Sequence, residues 1–184
     1  MSSMNETTWP PSDELLAWRP PPAPPTDTVP SSALVGESEA VPEWVAVPQG
    51  AEPDEYGDLD IPAYVLAYVE IDAGRPGGGG FSAVYAVPTT DGDLRVVITN
   101  DDGVPFESPI DCLPALPTLG ELLRILDETE VEGEKYGVGH PTRENSDTEH
   151  REGLRRFVRI GSDLYPQLEA LDQSRLERWI GERP

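Results

Sequence analysis

FSAVYAVPTTDGDLRVVIT, residues 81–99, reads as two strands joined by a tight turn. Phe81, Ala83, Tyr85 and Val87 alternate along the first run, and Leu94 to Thr99 is rich in β-branched residues. Between them, Thr89-Thr90-Asp91-Gly92-Asp93 centres on Asp-Gly, a pair that tolerates the positive φ of hairpin turns. The pattern predicts a hairpin of 81–88 with 94–99.

Working outward, Ala63 to Asp72 (AYVLAYVEID) is aromatic and β-branched throughout. Strict alternation sets Tyr64, Leu66, Tyr68 and Glu70 on one face, and Val65, Ala67, Val69 and Ile71 on the other. Both faces are largely apolar, which predicts a central strand. Gly74-Arg75-Pro76 and the glycines at 77–80 form the connection to the hairpin. Downstream, Asn100-Asp101-Asp102-Gly103 reads as a second turn before a short Val104-Pro105-Phe106 segment. Upstream, Trp44-Val45-Ala46-Val47 lies between Pro42 and Pro48 and reads as an edge strand, where flanking prolines are tolerated.

The last third is helical in pattern. Thr118 with Glu121 three residues on is a capping box, followed by Leu119, Leu122, Leu123 and Leu126 on one face. This helix is expected to reach about Thr129. A second helix over 147–160 would bury Leu154, Phe157 and Val158, with Gly161-Ser162 as its stop. Leu164, Leu168, Leu171, Leu176, Trp179 and Ile180 supply one or two closing helices, and Pro166 fits near the start of one.

Composition bounds the rest. The chain has 184 residues and 21 prolines, about twice the usual ~5%. Residues 1–62 hold 12 prolines and carry a charge of −11, residues 63–132 carry −10 and residues 133–184 carry −1. Five prolines fall between Pro20 and Pro25, which favours extended polyproline II or coil. The expected architecture is therefore α+β: a small, mainly antiparallel sheet of about three to five strands packed on one face by C-terminal helices. The single domain spans 40–184, and residues 1–39 form a disordered Pro-rich acidic arm. One short piece of that arm, Ser12 to Trp18, starts with a capping residue and gathers Leu15, Leu16 and Trp18. It could form a helical turn on contact with a surface.

Several function classes are excluded or weakened. No apolar run approaches the ~20 residues of a membrane span, and no charged start with an apolar stretch marks a signal peptide. The single cysteine, Cys112, rules out an internal disulfide. A net charge of −22 opposes nucleic acid and anionic lipid. A cytoplasmic protein is expected.

The glycines at 77–80 lack a GK[ST] or GxGxxG context and precede a strand, so a flexible connection explains them better than a phosphate loop. Cys112 would need His140 or His150 as a base, and neighbouring carboxylates disfavour its thiolate. His140, Asp147 and His150 match no metal-ligand spacing. Asp91, Asp93, Asp101 and Asp102 lack the spacing of a calcium loop and suit turns. No catalytic residue, cofactor or metal is assigned.

Two charge features remain. Arg151, Arg155 and Arg159 stand at i, i+4, i+8 and would line one helical face. The acidic excess favours fast, selective encounter with a basic protein. Asp91, Asp93, Asp101, Asp102, Arg151, Arg155 and Arg159 are the candidate partner-binding residues. The expected function is a non-enzymatic acidic binding protein engaging a basic protein partner, in the physical manner of an immunity protein or inhibitor. The rivals are an adaptor acting through its Pro-rich arm, and an enzyme using no recognised motif.

Overall fold

The computed structural model of the chain describes residues 11–21, 23–35, 40–71, 80–100, 105–106, 112–126, 159 and 161–171. In chain order its elements are α1 (Asp13–Leu16), β1 (Asp27–Pro30), α2 (Ser32–Val35), β2 (Asp60–Ile71), β3 (Gly80–Pro88), β4 (Leu94–Asn100) and β5 (Pro105–Phe106). Residues 119–126 and 166–171 are also helical.

β2 to β5 form a four-stranded antiparallel sheet in sequence order, and β1 extends it along the first part of β2. The expected hairpin is its centre: β3 pairs β4 with Pro88 opposite Leu94 and Tyr85 opposite Val97. Its turn closes because Gly92 takes a φ of 86°, a left-handed conformation that costs glycine nothing. The Thr89 hydroxyl accepts from the Asp93 amide at 3.1 Å, and the Thr89 amide donates to the Asp93 carbonyl at 2.9 Å.

β2 departs from strict alternation. Tyr64 pairs Ala86 and Val65 pairs Tyr85, but the next partners are Ala67 with Val84 and Tyr68 with Ala83. Leu66 is thus one extra residue, a bulge that reverses the phase of everything after it. Tyr64 and Ala67 pair with the side of β3 that joins the main core, while Val65 and Tyr68 fall on the other side. The expected grouping of Tyr64, Leu66 and Tyr68 on one face is therefore corrected. The bulge lets Leu66 and Ala67, adjacent in sequence, both enter the main core, where each is fully buried.

The two sheet faces are buried against different partners. On the first face, Leu66, Val84, Ala86, Val96 and Ile98 join one cluster with Leu119, Leu122, Ile125, Leu126, Tyr165, Leu168 and Leu171. The Thr118–Glu121 capping box is present: the Thr118 amide donates to the Glu121 carboxylate at 2.7 Å, and the Glu121 amide to the Thr118 hydroxyl at 3.2 Å. On the second face, Val29, Ala33, Leu34 and Val45 cover Ile61, Ala63, Val87 and Val97.

That second cluster changes the reading of the N-terminal arm. Disorder over 1–39 is not what residues 11–21 and 23–35 show. Val29 is fully buried, and β1 pairs β2 from Asp27 with Ala63 to Pro30 with Asp60. The prolines do not prevent this, because β1 is an edge strand of four residues and Pro30 stands at its end. Residues 1–10 and 36–39 lie outside the described residues.

Two further expectations are corrected. Trp44–Val47 is not a strand: Val45 makes an isolated bridge to Thr89, and the Arg95 guanidinium stacks on the Trp44 ring at 4.5 Å. Gly161-Ser162 does not stop a helix before it, because both residues are themselves helical. Gly161 is required for space instead. A Cβ there would lie 2.3 Å from the Leu66 carbonyl oxygen, so the bulge and this helical turn touch backbone to backbone. The greater part of the expected 147–160 helix lies outside the described residues, as do Leu176, Trp179 and Ile180. No helix among the described residues is long and apolar enough to cross a membrane.

Candidate functional site

Of the seven candidate partner-binding residues, three are described. Asp91 is exposed in the β3–β4 turn, Asp93 is half-buried beside it, and Arg159 is exposed on a helical turn. Asp101, Asp102, Arg151 and Arg155 lie outside the described residues, as do His140, Asp147 and His150.

Asp93 has a local partner. Its Oδ2 stands 3.7 Å from the Sγ of Cys112, which is exposed. Partial desolvation and the negative charges of Asp93 and Asp91 push the thiol above its ordinary pKa. A thiol held protonated is a poor nucleophile. The sequence placed the disfavouring carboxylate at a chain neighbour of Cys112; the structure brings Asp93 across from the hairpin turn instead. Asp93→Asn is expected to raise the rate of Cys112 alkylation at pH 8 by roughly two- to tenfold and to move its pH midpoint down. Iodoacetamide labelling followed by mass spectrometry measures both.

Among the described residues, a second acidic feature was not among the candidates. Residues 52–60 carry Glu52, Asp54, Glu55, Asp58 and Asp60 around Tyr56, whose relative exposure is 83%. The loop is built around Asp54. One carboxylate oxygen accepts from the Tyr56 amide at 2.8 Å and the Asp58 amide at 2.9 Å. The Asp54 amide donates to the Asp58 carbonyl at 2.8 Å, and Gly57 supplies the turn with a φ of 90°. This is the turn chemistry expected of Asp followed by Gly at short spacing.

Asp58 then ties the loop to α2. Its carboxylate accepts from the Ser32 amide at 2.9 Å, the Ser32 hydroxyl at 3.0 Å and the Ser31 hydroxyl at 3.3 Å. The Ser31 hydroxyl accepts in turn from the Leu59 amide at 3.0 Å. The Ser32 amide and hydroxyl hold the Asp58 carboxyl below its ordinary 3.8, against a smaller opposing effect of burial. The Asp54 and Asp58 carboxylates are therefore engaged by donors of the protein itself, while Glu52, Glu55 and Asp60 are exposed on the same stretch as Tyr56.

Because the folded pKa of Asp58 is depressed, its stabilisation is present above the ordinary value and is lost as pH falls through the folded value. Asp58→Ala is expected to cost about 1–2 kcal/mol at pH 7. The gap from wild type should narrow as pH falls through the depressed folded value and the wild-type carboxylate is protonated. Thermal unfolding of both proteins across that range checks the magnitude and the sign.

Chemically, the loop offers carboxylates and one aromatic ring to a cationic group. It pairs no nucleophile with a base. Among the described residues, no group of three or more His, Cys, Asp or Glu is arranged to hold a metal. The described cations are in part already engaged. Arg95 stacks on Trp44, and Arg19 bonds the Leu116 carbonyl and the Glu121 carboxylate.

The comparisons with known proteins do not decide among these possibilities. The chain matches no family model, no curated protein and no solved structure.

Proposed function

We propose that the chain is a non-enzymatic, cytoplasmic binding protein that engages a basic protein through its acidic surface, as an immunity protein or inhibitor does. The observation that carries this reading is a net charge of −22 concentrated before residue 133. The loop of residues 52–60 adds a preorganised feature: Tyr56 stands out from a hydrogen-bonded turn among exposed carboxylates. Tyrosine and arginine are enriched where interfaces concentrate their binding energy, and a cation over a tyrosine ring gains roughly 0.5–2 kcal/mol. A rigid loop also gives up little conformational freedom on binding. The same charge disfavours nucleic acid as the partner.

The arm-mediated adaptor is the weaker reading for a specific reason. It would act through Leu15, Leu16 and Trp18 or through the proline run at 20–25, and the first three pack on the protein's own core. Deleting residues 1–35 would not separate the two readings, because it also removes Val29, Ala33 and Leu34 from the second cluster.

The discriminating experiment captures partners from an extract of the source organism on the intact protein. The variant E52Q/Y56A/E55Q/D60N serves as comparison, since it changes exposed groups and leaves Asp54 and Asp58 in place. The proposal expects a basic protein held by wild type and weakened at least about tenfold by the variant. A captured protein that is acidic, or one bound equally by both, would count against it.

A further inference from the structure

We propose that the groove between the first turn of residues 119–126 and the Tyr165 ring is a docking site for a short amphipathic segment, and that residues 11–19 are its built-in, releasable occupant. The segment reaches the groove through a few directional contacts. The Trp18 carbonyl accepts from the Leu119 amide at 2.7 Å, one of the donors a helix start leaves free. The Arg19 guanidinium donates to the Leu116 carbonyl and pairs with Glu121 at 3.5 Å. The Trp18 ring meets the Tyr165 ring edge-on, with centroids 5.9 Å apart. Gly120 admits the segment: a Cβ there would lie 2.9 Å from the Leu16 carbonyl oxygen.

The segment's order comes from the groove and not from itself. α1 is a single turn of four residues, none of them buried, and an isolated turn is unstable in water. Leu15, Leu16 and Trp18 are half-buried against the core, while Pro11 and Pro20 are buried at the two ends. Beyond Pro20 the chain is dominated by proline, which gives no amides to a ladder and separates the segment from β1. The result is an autoinhibitory contact: Leu15, Leu16 and Trp18 cannot meet an outside surface while they fill the groove, and the groove cannot take another segment while they are in it.

Hydrogen exchange on the full chain tests this. The amides of Leu16, Ala17, Trp18 and Leu119 should open together, at least ~100-fold faster than those pairing β3 with β4. Gly120→Ala should accelerate these four at least ~10-fold and leave β3 and β4 unchanged. In a full chain carrying L15D/W18D, a synthetic peptide of residues 11–21 should restore slow exchange at Leu119. Protection of the four amides equal to that of the sheet would overturn the proposal. So would equal acceleration of sheet and segment by Gly120→Ala, or a millimolar peptide leaving Leu119 unprotected.

Discussion

Tyr165→Ala is expected to lower the unfolding free energy by about 4 kcal/mol, which corresponds to a fall in Tm of roughly 8–16 °C for a chain of this size. The side chain is fully buried in the main cluster, and its hydroxyl donates to the Pro117 carbonyl at 2.8 Å. Burial pushes the pKa of that hydroxyl far up, so it remains a donor at any working pH. The ring and the hydroxyl act on different neighbours. The ring fills space beside Leu119 and Leu168 and takes the edge of Trp18. The hydroxyl fixes the chain just before the capping box at Thr118. Tyr165→Phe isolates the second contribution and should cost about 1–2 kcal/mol, the usual loss when a buried carbonyl keeps no partner. Chemical denaturation of the two variants separates the effects. A Phe variant as damaged as the Ala variant would mean that the hydroxyl, and not the ring, holds the site.

Gly161→Ala should cost about 3 kcal/mol, a large loss for one methyl group. The added carbon would meet the Leu66 carbonyl at 2.3 Å and the Leu168 side chain at 2.9 Å. Leu168 has rotamers to offer, but Leu66 does not, because the close atom belongs to the backbone of the bulge. Either the helical turn lifts from β2 or the bulge flattens. Flattening would return Leu66 and Ala67 to opposite faces and withdraw one of them from the core. Ala is ordinarily the better helix former by about 1 kcal/mol, so a simple propensity argument predicts stabilisation. The sign of the measured change therefore decides between close backbone approach and propensity. Thermal unfolding gives that sign; a Tm equal to or above wild type would mean that the contact with Leu66 is absent.

The parts of the fold that were legible in the sequence are those fixed by near neighbours. Alternation in 81–87, the Asp-Gly turn and the Thr118–Glu121 box each act over a few residues, and each is present in the structure. The features that were missed depend on partners distant in the chain. Nothing within AYVLAYVEID marks Leu66 as the extra residue; its bulge is set against a turn almost a hundred positions later. Gly161 read as a helix stop because glycine serves both conformational freedom and close approach, and sequence alone does not say which. The proline-rich start read as free because its own apolar surface is small. Val29, Leu34 and Trp18 are ordered by surfaces that the rest of the chain provides. The loop at 52–60 carries an ordinary turn signal in Asp54 and Gly57, but its tie to α2 through Asp58 depends on Ser31 and Ser32, more than twenty positions earlier. Of the candidate partner residues, Asp91 and Asp93 lie in the β3–β4 turn, and Asp93 meets Cys112, a contact across chain positions that neighbours in sequence do not reveal.

The claim that binding runs through the acidic surface is tested most directly by the salt dependence of affinity for the captured basic partner. Titration calorimetry at 50 mM and 500 mM salt is sufficient. Exposed charge pairs are screened over about 10 Å at 0.1 M salt and over about 3 Å at 1 M. Affinity is therefore predicted to fall at least about 100-fold between the two conditions, and more steeply for wild type than for the loop variant. Tight binding that is unchanged across that range would contradict an electrostatic interface.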